Sequence, residues 1–125
     1  DGSVARLTVY KDKLVVLGKY DKSGSQTLNN IAFWDGTKFE SLGTGLTGGY
    51  NNVGDLYVFG DQLIVGGDFE EAGGKYSPYV AKWDGTSWVA FPNGVPAIVN
   101  AVMVYKNQLY VAGSGGGNSF FLRLE

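Results

Sequence analysis

The sequence predicts an all-β protein assembled from a repeated antiparallel sheet, and three observations carry that prediction. The tetrapeptide Trp34-Asp35-Gly36-Thr37 returns as Trp83-Asp84-Gly85-Thr86, 49 positions later. Twenty glycines separate short runs rich in Val, Tyr, Phe and Trp, a composition of strands and tight turns. No stretch sustains apolar residues at helical spacing.

The elements follow in order. Strand a is expected over 4–10, 53–59 and 99–105: VARLTVY falls on VGDLYVF at a shift of 49, and VNAVMVY follows at a further 46. The short polar turns KDK, GDQ and KNQ end it, with Asp or Asn where a tight hairpin needs a left-handed backbone. Strand b is expected over 14–18, 63–67 and 109–113, reading LVVLG, LIVGG and LYVAG. An antiparallel strand with one wet face alternates. These do not, so each sheet is expected to lie between two others. Gly66 and Gly67 end strand b, where the missing side chain lets a neighbouring backbone approach.

Strand c is expected over 29–34, 78–83 and 119–124. FFLRLE at the C-terminus falls on YVAKWD, with Leu124 in the slot of Trp83 and Glu125 in that of Asp84. Strand d is expected over 37–42 and 86–91, and the third copy has none. One domain over 1–125 is therefore divided into repeats 1–49, 50–95 and a truncated 96–125.

Within this frame WDGT reads as a c–d hairpin. Trp34 and Trp83 end strand c and are expected to be largely buried. Asp35-Gly36 and Asp84-Gly85 form two-residue type I′ loops. Thr37 and Thr86 open strand d, and Phe39 or Trp88 stacks across the hairpin on the strand-c Trp. A catalytic pair of Asp35 and Asp84 is the competing reading. It is set aside because an Asp-Gly hairpin requires no catalytic role and the two copies fall on different sheets.

A period of 46–49 residues carrying four strands points to β-propeller blades: two complete four-stranded blades and a third with three strands. The strand order, with Gly66-Gly67 closing strand b and Trp83 and Trp88 in strands c and d, resembles the kelch and galactose-oxidase type of propeller. The glycine doublet is intact only in the second copy; the others read Leu17-Gly18 and Ala112-Gly113. Residues 63–88, LIVGGDFEEAGGKYSPYVAKWDGTSW, are similar to the LYVGGDF…AGG…IAKWDGTSW repeats of secreted bacterial proteins and fungal cell-surface polarity markers. The resemblance implies a propeller fold in an extracellular or cell-envelope setting. It does not imply an activity, because propellers host enzymes, lectins and scaffolds alike.

Composition narrows the chemistry. The chain has no cysteine and no histidine, which removes thiol nucleophiles, the usual zinc ligands and the commonest general base. Its net charge is −2, without a basic patch, so nucleic acid is not an expected partner. No apolar run reaches the length of a membrane span. No D-x-D-x-D-G spacing holds calcium, and SGGGNS lacks the lysine and helix of a phosphate loop. No metal or cofactor is expected.

The remaining candidates are ligand residues. The b–c segments 21–27, 70–78 and 114–118 read as variable loops, where binding residues usually lie. Tyr20, Asp21, Glu70 and Tyr76 are their candidates, with Tyr20 and Tyr76 as exposed aromatic platforms. In strand a, Arg6, Asp55 and Ala101 share one slot. Arg6 and Asp55 are expected on neighbouring innermost strands, as an ion pair or as channel ligands. The functional expectation is a non-catalytic binding or scaffold module. A lectin-like sugar binder and part of a propeller enzyme with its catalytic residues elsewhere are the alternatives. Three blades leave two apolar end faces, so self-association is expected: a homodimer closing a six-bladed ring, unless further blades of a longer parent cover them. A glycan or another protein is the expected ligand.

Overall fold

The computed structural model describes residues 2–49, 53–91, 94–115 and 117–124. It is all-β with several antiparallel sheets and, among the described residues, no helix. The first sheet is formed by β1 (Ser3–Tyr10), β2 (Lys13–Lys19), β5 (Ile31–Trp34) and β6 (Phe39–Ser41), in that spatial order. Between β2 and β5 lies a small ribbon of β3 (Lys22–Ser23) and β4 (Gln26–Thr27). The second sheet has β8 (Val53–Phe59), β9 (Gln62–Gly67), β12 (Val80–Trp83) and β13 (Trp88–Ala90) in the same order. A third, three-stranded sheet has β14 (Val99–Tyr105), β15 (Gln108–Gly115) and β16 (Asn118–Leu124). The remaining short strands are β7 (Leu46–Thr47), β10 (Glu71–Ala72) and β11 (Lys75–Tyr76). β10 pairs with both β11 and β7, so the segment after the first sheet is fastened to the b–c segment of the second.

Matching register accompanies the matching strand order. Trp34 pairs with Leu14 and Phe39, and Trp83 with Leu63 and Trp88. The first hairpin of each of these sheets carries a register shift at one place: Val4/Arg6, Val53/Asp55 and Val99/Ala101. A bulge there strengthens the local twist.

The sheets stack face to face. β2 reads KLVVLGK, and Val15 and Leu17 on one of its faces enter a core with Leu63, Val65, Trp83 and Trp88 from the second sheet. The opposite face of the second sheet sends Ile64 and Val80 into a second core with Val102, Leu109 and Val111 of the third. The non-alternating apolar runs have their cause here, because the second sheet is buried on both faces. Gly66 belongs to this packing: a Cβ there would lie 2.3 Å from Val99 Cγ1, so only glycine permits the approach. Gly67 ends β9, its N–H donating to the Tyr79 carbonyl at 3.0 Å.

An aromatic row crosses the first core. Tyr10 stacks on Phe33 with centroids 5.9 Å apart, Phe33 meets Trp83 edge-on at 6.3 Å, and Trp83 meets Trp88 at 5.4 Å. Two polar tips tie the sheets together. The Tyr10 hydroxyl donates to the Asp61 carbonyl at 2.6 Å, and Trp88 Nε1 to the Leu42 carbonyl at 2.7 Å. Trp34 departs from the expectation. Trp83 and Trp88 are buried, but Trp34 is half-buried and packs on Phe39 at 4.8 Å. Its slot equals that of Trp83, but it sits on the face of the first sheet that no other described sheet covers.

The turns also correct the sequence reading. The two-residue hairpins lie between strands a and b. Lys11-Asp12 and Lys106-Asn107 have positive φ at both residues, as type I′ turns require, and in Gly60-Asp61 only Gly60 has positive φ, as in type II′. The WDGT loop is longer: Trp34 pairs with Phe39 and Trp83 with Trp88, leaving four residues in each loop. Thr37 and Thr86 are loop residues, and strand d starts at Phe39 and Trp88. Strand c starts at Ile31 and Val80, because Asn29, Asn30 and Tyr79 have positive φ. In the segment 114–118, expected to be an open loop, Ser114 and Gly115 continue the β15–β16 ladder, paired to Ser119 and Asn118. Glu125 lies outside the described residues.

These contacts set the expected ranking of two tryptophans. Trp83→Ala should destabilise by about 3–5 kcal/mol, the cost of emptying a buried aromatic site, and Trp34→Ala by clearly less. Trp83→Phe should cost less than Trp83→Ala: it keeps a ring and removes an Nε1–H that has no hydrogen-bond partner among the described residues. Urea unfolding of the three variants checks the order.

Candidate functional site

Two groups of candidate residues lie on different parts of the stack. Arg6 and Asp55 are on the edge strands β1 and β8, and Tyr20, Asp21, Glu70 and Tyr76 belong to the b–c segments.

The inner pair forms. Arg6 Nε lies 3.7 Å from Asp55 Oδ1, with Arg6 half-exposed and Asp55 more sheltered. The carboxylate has further duties. Oδ1 accepts from the Leu56 N–H at 2.9 Å, and Oδ2 accepts from the Val102 N–H at 3.1 Å. Asp55 therefore joins β1, β8 and β14 at the level of the bulges, where displaced backbone N–H groups lose ladder partners. This occupancy favours the structural role over a channel ligand.

The b–c segments are ribbons, with a fixed geometry that two-residue strands do not announce in sequence. In the first, the Asp21 carbonyl accepts from the Leu28 and Asn29 N–H groups, and the Asp21 side chain is exposed. Tyr20 is not the free platform expected. It is half-buried, its hydroxyl donates to the Val16 carbonyl at 2.7 Å, and burial raises its pKa. It borders an open cleft of about 240 Å³ with Val4, Val16, Leu28 and Phe39. Asn30, which sequence reasoning passed over, is the buried anchor here. It accepts from the Tyr20 N–H at 3.0 Å and donates to the Leu46 carbonyl at 2.8 Å. Its only signal was the Asn29-Asn30 doublet, a residue type that tolerates the left-handed backbone.

The second ribbon presents the exposed aromatic. Tyr76 is 73% exposed, and the ribbon beneath it is held at several points. Glu70 N–H donates to the Thr47 carbonyl at 2.9 Å, Lys75 Nζ to the Trp88 carbonyl at 2.6 Å, and Ser77 Oγ to the Val80 carbonyl at 2.6 Å. The Gly73-Gly74 turn folds over Trp88 so closely that a Cβ on Gly73 would lie 2.5 Å from Trp88 Cδ1. Glu70 and Glu71 are exposed, and Asp68, at the ribbon's root, is buried. Among the described residues, no three metal-ligating side chains come together.

The WDGT carboxylates are occupied within their own loops. Asp35 Oδ1 accepts from the Thr37 N–H, the Thr37 hydroxyl and the Lys38 N–H at 2.8, 2.9 and 2.9 Å. Asp84 Oδ1 repeats this with Thr86 and Ser87 at 2.9, 3.1 and 2.9 Å. These are Asx turns closed by a Thr hydroxyl. Gly36 and Gly85 have φ of 104° and 111°, a backbone that favours glycine. The donated bonds, led by the Lys38 N–H, hold the Asp35 carboxyl at about 2, and those led by the Ser87 N–H lower that of Asp84. A carboxylate so stabilised as the anion is a poor proton carrier near neutral pH.

Compared with family models, curated proteins and solved structures, the chain has no significant match.

Two predictions follow from this geometry. Asp55→Ala should destabilise by about 1–3 kcal/mol, because it strips the acceptor from two backbone donors. Arg6→Ala, which removes only a solvent-screened charge, should cost about 0–1 kcal/mol. Denaturant midpoints compare them. In the WDGT loops the folded-state pKa lies below the unfolded value of about 3.9. Their contribution is therefore full above about pH 4 and lost as pH falls through the folded values. The double variant Asp35→Asn, Asp84→Asn should flatten the fall in stability between about pH 4 and 2, as read by denaturation at each pH.

Proposed function

We propose that the chain is part of a β-propeller, two four-stranded blades and one of three strands, that works as a non-catalytic binding or scaffold module in an extracellular or cell-envelope setting. The meander order of the sheets, the shared bulge positions and the face-to-face packing through apolar strands support the propeller reading. The WDGT motif supports it as a turn, since its carboxylates are consumed in closing the loop.

The observation that carries the binding function is Tyr76. A large ring is 73% exposed on a ribbon fastened to Thr47, Trp88 and Val80. An aromatic side chain displayed on a fixed mount gives contact area at low entropic cost. The same ring favours carbohydrate as the ligand class, because the apolar C–H face of a sugar packs on an aromatic face and flanking polar groups bind its hydroxyls.

A glycan array probed with the chain and with Tyr76→Ala tests this reading. The expected result is binding by the parent chain and at least a tenfold loss in the variant, with unchanged melting temperature. Equal signals would remove Tyr76 from the site. A parent chain that binds no glycan would overturn the carbohydrate class.

A further inference from the structure

We propose that the uncovered face of the third sheet docks on the uncovered face of the first sheet in a second copy of this chain, so that two copies close one ring through two identical contacts. The inference rests on the propeller reading and names the surfaces that complete it.

Both contacts within the chain are built from the same two sets of positions. The first sheet offers Tyr10, Val15 and Ile31, and the second receives them with Leu56, Leu63 and Trp83. The second sheet then offers Phe59, Ile64 and Val80, which the third receives with Val102, Leu109 and Leu124. One face of each sheet always offers and the other always receives. What remains bare is one face of each kind. The third sheet displays Tyr105, Tyr110 and Phe121 in the offering positions, and the first displays Leu7, Leu14 and Trp34 in the receiving ones.

The bare faces are apolar beyond what isolated surface residues explain. Leu7 and Val9 are 59% and 63% exposed, and Tyr105 and Phe121 are 59% and 70% exposed. The rings of the third sheet are already ordered: Tyr105 meets Tyr110 at 6.3 Å, and Tyr110 stacks on Phe121 at 5.5 Å and 5°. They thus continue the interfaces already present within the chain, where Tyr10 stacks on Phe33. One polar bond identifies the register. Tyr105 occupies the position of Tyr10, whose hydroxyl donates to the carbonyl of Asp61. Asp12 holds the position of Asp61 in the first sheet, so the Tyr105 hydroxyl is expected to donate to the Asp12 carbonyl of the second copy.

An offering face on a receiving face is a heterologous contact, which either closes or propagates. Propellers close with about four to eight blades. The three stacked sheets of each of two copies give a ring of six, within that range.

Sedimentation equilibrium of the chain should give about 27 kDa, twice the 13.4 kDa of one chain. Leu7→Glu and Phe121→Glu replace side chains exposed in the single chain, and each should weaken self-association at least 100-fold. Mixed together they should pair more tightly than either does alone but more weakly than the parent chain, since one of the two contacts is intact and the other carries both charges. Tyr105→Phe should weaken the pair about five- to a hundredfold, the loss of one hydrogen bond in each of the two contacts. A folded monomer at all concentrations, a mass that rises without a plateau, insensitivity to either Glu substitution, or mixing that gives no tighter pairing than either variant alone would overturn the proposal. Amide exchange separates this failure from that of the propeller reading. Protected Leu63 and Val65 amides in a monomer leave the stack intact and reject only the docking. Unprotected ones reject the stack itself.

Discussion

The constraint on which the structure depends is that each sheet is apolar on both faces. A sheet with one wet face folds against a single partner, whereas these sheets need a neighbour on each side. The second sheet meets the requirement in full, with Leu63, Val65 and Trp83 on one side and Ile64 and Val80 on the other. The outer sheets meet it on one side only. The half-burial of Trp34, the cleft beside Tyr20 and the bare Tyr105 and Phe121 all follow from that asymmetry.

Polar groups fix what apolar packing leaves free. Apolar area alone tolerates sliding between sheets, because burial is non-directional. The Tyr10 bond to Asp61, the Trp88 bond to Leu42 and the Asp55 bond to Val102 each fix one sheet against the next at a different place. The β7–β10 pairing adds a backbone fastening at the ribbon end. The candidate binding surface is therefore carried on a frame whose register is set at several points, which is what a positioned Tyr76 needs.

Much of the fold was legible because two periodicities overlap in the chain. Strands a and b were placed within about two residues of their ends by pattern alone, and the shared slot of Arg6 and Asp55 anticipated their contact. Local chemistry was read less well. Asp-Gly suits both a type I′ turn and an Asx turn, and the three donors that decide for the latter are visible only once Thr37 and Lys38 are folded around Asp35. The ribbons were missed because two-residue strands have no period to detect. Tyr20 and Tyr76 looked alike in sequence, and they parted only when the Tyr20 ring turned back onto its own strand to reach Val16.

The sequence by itself determined the all-β class, the order of strands a to d and the positions at which side chains repeat, because these depend on local alternation and turn residues. Only the tertiary structure decided which equivalent positions are buried, which carboxylates are consumed in turns and which aromatic stands free. Trp34 and Trp83 open the same WDGT motif, and each pairs in register with a leucine of strand b. They differ in whether another sheet lies against their face, and burial is a property of that neighbour, not of the residue.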